Sequence, residues 1–220
     1  MVPFELRIPL LAPVSLNARW ICLDAIVAHL VQLALRGREY YYLPTKQVVR
    51  FSGDHSYTRV LKYTPEGLAH ASASVWEQDG GLHSVGYYKR LEVDRFPARR
   101  KVSRGSGHFR DWMLRTVYVP ARAVRFYGVG DIELLRELLE LLTHVGNDVR
   151  IGWGLVDRSS ITLRELDDDC SLVWGGVAMR PIPVRFARRW SDAVMLPWRS
   201  PYWARESVEL CVPPGAEVEL

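Results

Sequence analysis

The first quarter of the chain changes from a strand pattern to a helix pattern and back. At residues 4–8 every second position is apolar, which is typical of a half-buried β-strand. Between residues 23 and 36 the apolar positions recur every three or four residues, which predicts an amphipathic helix that stops at Gly37. Residues 40–51 are rich in aromatic and β-branched side chains and predict a strand that is interrupted near Pro44.

The middle of the chain has the alternation of strands and the residues of tight turns. Residues 70–76 and 82–93 predict two strands, and Asp-Gly-Gly at residues 79–81 supplies the positive φ angles of a hairpin turn between them. Residues 114–126 return to strand character, and Pro120 can divide them into two pieces. We therefore predict a β-hairpin followed by a further strand.

A second helix and further strands are predicted after residue 130. Asp131 can cap a helix at residues 132–144, whose leucines share one face. Residues 150–156 and 161–166 predict another hairpin, and residues 172–184 predict one more strand.

The order of these elements predicts an α+β fold. Reduced to its essentials it is the βαββαβ ferredoxin-like unit, similar to RNA-recognition domains, whose four-stranded sheet leaves one face free to bind. We expect a single domain at residues 1–220, because chains of this size often form one domain. Residues 70–112 would be an inserted hairpin and basic loop. Six prolines at residues 181–214 mark a C-terminal extension that wraps the core.

Composition narrows the class of protein. The 220 residues are 48% apolar and 25% charged with a net charge of +4, so we expect a folded core and no extensive disorder. The three cysteines, Cys22, Cys170 and Cys211, form no CxxC pair, which favours reduced thiols over a disulfide framework or a zinc site. The first 17 residues predict a strand and not a signal peptide. No apolar run reaches the roughly 18 residues of a membrane span. We expect a cytoplasmic protein without membrane contact.

Local charge indicates nucleic acid more strongly than the net charge does. Residues 94–115 contain seven arginine or lysine residues against two aspartates, a net charge of +5. Arginine forks match phosphate geometry, aromatic side chains can stack on bases, and glycines allow close backbone approach. A solvated basic loop is the alternative. The candidate RNA contacts in and beside this segment are Lys89, Arg90, Arg95, Arg99, Arg100, Lys101, Arg104, His108, Arg110 and Trp112.

A glycine-rich segment follows the second predicted helix. That helix ends at Gly146, and a short basic stretch then leads into a Gly-Trp-Gly sequence, where bare backbone lies beside an indole. A phosphate chain can approach such backbone closely, although glycines in a strand can also mark a bulge. The candidate RNA contacts here are Arg150, Gly152, Trp153 and Gly154. A second basic and aromatic patch at residues 185–190 is a weaker candidate, and a solvated surface is favoured there.

Candidates for catalysis are few. His55 and His108 lie in predicted loops near basic residues and are the two candidates for proton transfer. The three carboxylates at residues 167–169 do not converge on one point and predict a solvated turn. The sequence has no Walker A, GxSxG, HExxH or dinucleotide-binding motif. We therefore predict no catalytic centre, no metal and no cofactor.

Two segments carry a resemblance to a known family. The first predicted helix opens with LDAIVAH at residues 23–29, and the leucine-rich helix runs through VGN at residues 145–147 into RIGWG at residues 150–154. The chain resembles the RAMP superfamily of CRISPR-associated proteins, and in particular the type IV subunit of the Cas class conventionally numbered five. The later segment is similar to the glycine-rich loop of that superfamily, and the resemblance extends to about residue 156.

The resemblance implies a non-catalytic RNA-binding subunit that caps the 5′ handle of the guide RNA, the CRISPR RNA. Its partners would be the backbone and large subunits of a type IV effector ribonucleoprotein in antiviral defence. The target nucleic acid would be reached indirectly, through base pairing. Residues 87–112 would form a thumb that pinches the RNA, and residues 152–154 would form the glycine-rich loop beside Arg150.

Two other hypotheses stay open at this point. Some relatives cleave the CRISPR repeat, so the chain could be a RAMP endoribonuclease that processes precursor CRISPR RNA. His55 or His108 would then transfer protons, and arginines would stabilise the charge that builds up on phosphate. The third hypothesis is a ferredoxin-like domain that assembles with other proteins and binds no RNA.

Overall fold

The computed structural model describes residues 1–42, 59–78, 81–90, 105–107 and 110–220. In this part of the chain the fold is α+β, with two α-helices and mostly antiparallel sheets, and neither helix is long and apolar enough to cross a membrane. In chain order the elements are β1 (Val2–Pro9), β2 (Val14–Ser15), α1 (Leu23–Arg36), β3 (Val75–Gln78), β4 (His83–Lys89), β5 (Trp112–Val119), β6 (Ala121–Gly130), α2 (Ile132–Leu139), β7 (Thr162–Glu165), β8 (Val173–Trp174), β9 (Val177–Ala178), β10 (Ile182–Pro183), β11 (Arg189–Trp190), β12 (Val194–Pro197), β13 (Val208–Val212) and β14 (Val218–Glu219).

A four-stranded antiparallel sheet in the order β3-β6-β1-β7 forms the centre of the fold. The predicted alternation in β1 is confirmed, because Phe4, Leu6 and Ile8 are fully buried on one face. Glu5 and Arg7 lie on the opposite face, as the two-residue period of a strand requires. The buried face of β1 is the floor of the main core.

Both helices pack against this inward face. The predicted bounds of α1 are confirmed, and Leu23 and Leu30 are buried in the same cluster as the inward residues of β1. The predicted cap of α2 is also confirmed, since the Asp131 carboxylate accepts a hydrogen bond of 3.1 Å from the backbone N–H of Leu134. The second helix ends at Leu139, earlier than the sequence predicted.

The residues after α2 leave the helix because their backbone groups bond elsewhere. The N–H of Val145 donates to the carbonyl of Gly154 at 2.9 Å, and the N–H of Val156 donates to the carbonyl of Thr143 at 3.0 Å. These bonds replace the α-helical ladder. The hairpin predicted from residues 150–156 and 161–166 is therefore wrong, and β7 pairs with β1 instead.

The predicted pairing of the two strands around residues 79–81 is also wrong. β3 pairs with β6 in the central sheet, whereas β4 pairs with β5 in a separate three-stranded sheet, β2-β5-β4. Trp76 of β3 packs against the main core, and Glu77 forms ion pairs across the central sheet. Burial and charge thus select the partner of β3 over the local turn. The division at Pro120 is confirmed, because β5 ends before it and β6 begins after it.

Two further strand predictions differ from the structure, the first only at residues 40–42 and the second over its whole length. Gly37–Tyr42 forms a 3₁₀ turn, and the remainder of the strand predicted at residues 40–51 lies outside the described residues. The strand predicted at residues 172–184 is divided into β8, β9 and β10. Gly175 and Gly176 both have left-handed φ angles, +59° and +80°, which reverse the chain between β8 and β9.

The residues after β7 form small sheets of their own. β10, β13 and β12 make a three-stranded antiparallel sheet, while β8 pairs with β9 and β11 with β14. Two small apolar clusters accompany these sheets, one around Ile182 and one around Trp198, and both side chains are fully buried.

Arg180 joins this C-terminal part to the main core. Its guanidinium is fully buried, and Nη1 donates to the carbonyl oxygens of Ala69 at 2.7 Å and Ala71 at 2.9 Å. Its Nη2 donates to the carbonyl oxygen of Trp198 at 2.7 Å and lies 3.5 Å from the Asp24 carboxylate of α1. One side chain therefore connects the first helix, the segment before β3 and the C-terminal sheets.

Candidate nucleic-acid interface

The end of the β4 and β5 hairpin that carries Lys89 and Trp112 is exposed on both of its faces, whereas Thr116 and Val119 farther along β5 are buried. The strand register places Lys89 opposite Trp112 at the end that leads into the basic loop. Tyr88 is 73% exposed and Trp112 is 47% exposed. Arg90 and Arg110, which lie just beyond the two strands in sequence, are also exposed. An aromatic and cationic surface is therefore present at this end of the hairpin.

The basic loop joins the two strands of this hairpin. β4 ends at Lys89 and β5 begins at Trp112, so the connecting segment starts and ends at the same end of the hairpin. In that segment the structure describes Arg90 and residues 105–107 and 110–111. The predicted RNA contacts and proton-transfer candidates that lie outside the described residues are His55, Arg95, Arg99, Arg100, Lys101, Arg104 and His108.

The glycine-rich segment is a turn and not a strand. A 3₁₀ turn covers Val149–Ile151, and Arg150 within it is exposed. Gly152 is exposed, has a φ of +95°, and would place an added Cβ in open space. Gly154 has a φ of +67° and is buried, and an added Cβ would collide with the backbone carbonyl of Val145. Of these two glycines, Gly152 offers exposed backbone, whereas packing explains Gly154.

The two predicted regions meet at an aromatic contact. The ring centroid of Trp153 lies 5.0 Å from that of Tyr118 in β5, and Tyr118 lies 5.6 Å from His83 in β4. Aromatic pairs at such separations contribute about 0.5–1.5 kcal/mol beyond the burial of their area. The sequence alone did not identify Tyr118 or His83, because only the register of β4 and β5 places them opposite each other. The contact places the His83 and Tyr118 end of the hairpin, six residue pairs from Lys89 and Trp112, beside the glycine-rich segment.

Hydrogen bonds hold the glycine-rich segment against β2 and the residue before it. The N–H of Gly154 donates to the carbonyl of Pro13 at 2.8 Å. The Ser15 hydroxyl donates to the carboxylate of Asp148 at 2.8 Å, just before the 3₁₀ turn. A segment fixed at both ends presents Arg150 and Gly152 without first having to be ordered, which reduces the cost of binding a ligand.

The outward face of the central sheet differs from the free face that we expected. Glu77 on β3 accepts two hydrogen bonds of 2.9 Å from Arg7 and also pairs with Arg125. Tyr127 on the same face is only 5% exposed and packs against Trp174, with ring centroids 5.0 Å apart. Salt bridges and a covering tryptophan occupy these positions, so this part of the sheet is not a platform for stacked bases.

Acid should weaken this ion-pair cluster. The hydrogen bond from Arg7 lowers the pKa of Glu77 from 4.5 to about 2. Because the folded-state pKa is depressed, the carboxylate stabilises the fold above pH 4.5 and loses that effect as the pH falls towards 2. We expect Glu77→Gln to lower the free energy of unfolding by about 1 kcal/mol at pH 7, the scale of a partly exposed ion pair. Below pH 2 the variant should match the wild type in urea unfolding, and an equal difference at both pH values would contradict this assignment.

Of the three consecutive aspartates, Asp169 accepts hydrogen bonds from neighbouring residues. His70 Nδ1 lies 2.6 Å from Asp169 Oδ2, and the N–H and hydroxyl of Ser171 donate to the same carboxylate. Burial raises the pKa of Asp169, but these hydrogen bonds outweigh it and lower the pKa to about 2. The other two aspartates are exposed, as predicted for a solvated turn. Within the described ranges no group of three His, Cys, Asp or Glu side chains could hold a metal ion.

Comparison with known families relates this chain to the CRISPR-associated proteins of type IV systems. Residues 68–214 match the family described as CRISPR type IV associated protein Csf3, and because this range is 147 of the 220 residues, the protein belongs to that family. The comparison with curated proteins found no match. The predicted resemblance to a type IV CRISPR subunit is thereby confirmed. The matched range contains the hairpin, the glycine-rich segment and Arg180.

Proposed function

We propose that this protein is a non-catalytic RNA-binding subunit of a type IV CRISPR effector ribonucleoprotein. It caps the 5′ handle of the guide RNA and contacts the backbone and large subunits of the complex. The observation that carries the proposal is the contact between Trp153 and Tyr118, which joins the exposed basic hairpin to the glycine-rich segment. Membership of a CRISPR type IV family supports the same conclusion.

The strand order supports a ferredoxin-like core for this subunit. Read from β7, the central sheet has the order β7-β1-β6-β3, with α1 following β1 and α2 following β6. A βαββαβ unit has its fourth, first, third and second strands in that same order. The hairpin of β4 and β5 is then an insertion between the second and third strands of the unit, which is where a thumb would leave the core.

The chemistry of the surface suits a single-stranded RNA backbone. Lys89, Arg90 and Arg150 can neutralise phosphates, and Gly152, which has open space where a Cβ would stand, lets a phosphate approach the backbone closely. Exposed Trp112 offers a ring on which a base can stack. The outward sheet face, by contrast, is occupied by salt bridges, so we place the RNA along the hairpin and not across the sheet.

Co-purification of RNA tests the proposal directly. The tagged chain would be expressed with its neighbouring genes and a CRISPR array, and the RNA that accompanies it would be sequenced. We expect uniform RNAs that begin in a repeat-derived 5′ handle, together with other protein subunits. Absence of any enriched RNA would contradict the RNA-binding role and leave a role in protein assembly.

We also propose that the subunit does not cut RNA. Metal-independent cleavage needs a positioned proton acceptor and donor, for which His55 and His108 are the candidates in this sequence. The purified chain would be incubated with precursor RNA in the presence of a chelator, beside the His108→Ala variant. If the wild type cuts the RNA and the His108→Ala variant does not, this proposal is wrong and the chain is the endoribonuclease of the second hypothesis.

Reversing the charge of the basic loop should weaken RNA binding about a hundredfold. The triple change of Arg99, Arg100 and Lys101 to Glu removes about three phosphate contacts. Each contact contributes about −0.7 to the slope of log affinity against log salt for a single strand. We therefore expect that slope to become shallower by about two. Binding would be measured by fluorescence anisotropy at two salt concentrations.

The matched control changes three arginines of the C-terminal patch, Arg185, Arg188 and Arg189, to Glu. This control alters the net charge of the chain by the same amount. It should keep most of the affinity if the RNA lies on the hairpin. Equal losses in the two triple variants would show a nonspecific charge effect, and unchanged affinity in the first would contradict the thumb assignment.

A further inference from the structure

A cavity of about 520 Å³ opens beside the glycine-rich segment. Its lining residues come from the segment between β2 and α1, from the first half of α1, from the residues after α2 as far as Val149, and from Leu196, Pro197 and Tyr202 of the C-terminal part. The volume lies within the roughly 300–1,000 Å³ of small-ligand sites. The wall at residues 141–149 runs directly into the 3₁₀ turn that holds Arg150.

The lining of this cavity carries no Lys, Arg, Asp or Glu side chain. Buried aliphatic side chains such as Leu30, Leu142 and Val145 form its apolar part. The side-chain amides of Asn17 and Asn147 also line it, and within the described residues neither amide has a hydrogen-bond partner. The site is therefore neutral and apolar, with hydrogen-bonding groups left over for a ligand.

Two histidines add further hydrogen-bonding groups to this lining. His29 and His144 line the cavity, and each uses Nδ1 in a hydrogen bond of 3.0 Å, to Tyr40 and to Thr143 respectively. Burial lowers the pKa of His29, so its ring is neutral at physiological pH. The second ring nitrogen of a neutral imidazole can then donate or accept, depending on the tautomer.

Positive charge lies outside the cavity and not within it. Arg19 is exposed and stands in sequence between the lining residues Ala18 and Trp20. Arg150 is exposed and follows the lining residue Val149. Asp148 also lies beside the lining, between Asn147 and Val149, and its carboxylate accepts a hydrogen bond from Ser15. A neutral interior flanked by two arginines and one aspartate carries net positive charge at its edge, which matches a nucleotide, whose base is uncharged and whose phosphate is anionic. The indole of Trp20 supplies an aromatic surface within the lining.

We propose that this cavity receives one unstacked nucleobase of the bound RNA. The base lies between Trp20 and the aliphatic wall, Asn17 and Asn147 bond its polar edge, and Arg19 and Arg150 hold the adjoining phosphates. The inference rests on the proposed RNA-binding function and adds a base-reading site to it. A charged ligand would lose its hydration here without meeting an opposite charge, and a purely apolar one would cover the half-buried amide of Asn147 without pairing it.

Abasic scanning tests this site with the full chain. The probe is a synthetic RNA with the sequence recovered from the co-purified ribonucleoprotein, in which one base at a time is removed. We expect one abasic position to weaken binding roughly tenfold or more, the scale of one stacked and hydrogen-bonded base. The other abasic positions should change affinity by about twofold or less. If intact RNA binds and no single abasic position weakens binding more than the others, the base site is contradicted and the RNA-binding function is not.

Filling the cavity identifies where that base lies. Ala25 lines the cavity on α1, so Ala25→Trp should weaken binding of intact RNA roughly tenfold and abolish the difference between intact and abasic RNA. Ala34 lies on the same helix, is exposed and is outside the lining, which makes Ala34→Trp the matched control. Asn147→Ala should reproduce part of the loss. Thermal unfolding of each variant checks that the fold is intact.

The outcomes separate this inference from the proposed function. Wild-type RNA affinity in Ala25→Trp and Asn147→Ala would overturn the base site alone. Wild-type RNA affinity combined with loss of co-purifying protein subunits in Ala25→Trp would show that the cavity docks a protein segment instead. Failure of the wild-type chain to bind the recovered RNA at all would overturn the function and the site together.

Discussion

Replacing Arg180 by methionine should destabilise the fold by about 3–5 kcal/mol, the scale of breaking a buried ion pair from one side. Methionine fills a similar length of buried space but donates no hydrogen bond. The carbonyls of Ala71 and Trp198 would lose the donor that Arg180 supplies, the carbonyl of Ala69 would keep only the N–H of Ala71, and the buried Asp24 carboxylate would lose its countercharge. Each orphaned group costs its full desolvation penalty.

The remaining partner of Asp24 cannot replace the arginine. The Tyr202 hydroxyl donates to Asp24 at 2.7 Å, but it is neutral, and burial raises the pKa of Tyr202 well above its usual value of 10. The pair Asp24 and Tyr202 would therefore keep a buried negative charge without compensation. A second change, Asp24→Asn in the Arg180→Met background, removes that charge and should recover part of the loss.

Urea unfolding at pH 7 measures the effect, and Arg185→Met is the matched control. Arg185 pairs with Glu209 at 3.0 Å on the surface, with about half of its side chain exposed, and losing such a pair costs about 0–1 kcal/mol. A loss below about 1 kcal/mol in Arg180→Met would show that the buried network contributes little to stability. The same loss in both variants would contradict the distinction between the two sites.

Local periodicity explains the parts of the fold that were predictable. The alternation in β1, the three-to-four spacing in α1, the Asp131 cap and the break at Pro120 each depend on residues close together in the chain. Each of these features is determined by fewer than about 20 consecutive residues, which is the range over which hydrophobic periodicity and capping residues predict structure. All four were confirmed.

Strand pairing depends on distant residues and was not predictable in the same way. The Asp-Gly-Gly sequence at residues 79–81 has the chemistry of a hairpin turn, yet β3 pairs with β6. Arg125 and Arg7 favour the pairing of β3 with β6, because both form ion pairs with Glu77 from strands that are far away in sequence. A local turn signal is weaker than burial and charge pairing across a sheet.

In the candidate site too, some features depend on neighbouring residues in the sequence and others depend on distant ones. The basic loop and the Gly-Trp-Gly sequence are visible in the sequence, because charge clusters and glycines are local signals. The contact between Trp153 and Tyr118 of the hairpin is not visible in the sequence, since it depends on how distant parts of the chain pack. Arg180 carries no local signal either, because a single arginine before a proline gives no indication that it is fully buried.

Gly154→Ala should destabilise the fold by about 2–5 kcal/mol and displace the glycine-rich segment. The left-handed φ of +67° at this residue costs an alanine about 1–2 kcal/mol. The added methyl group would also collide with the carbonyl of Val145, and overpacking of this kind costs about 1–3 kcal/mol more. To relieve the collision the chain must give up the hydrogen bond between Val145 and Gly154.

Gly152→Ala is the matched control, because it shares the strain without the collision. Its φ of +95° is also left-handed, but its added methyl group meets open space, so we expect a loss of only about 1–2 kcal/mol. Urea unfolding compares the two variants, and RNA binding is measured on the fraction that folds. Gly154 fixes the backbone beside Trp153, so Gly154→Ala should also lower RNA affinity by moving the ring away from Tyr118. Equal stability losses in the two variants would show that the collision is relieved at no cost and that Gly154 does not determine the position of the segment.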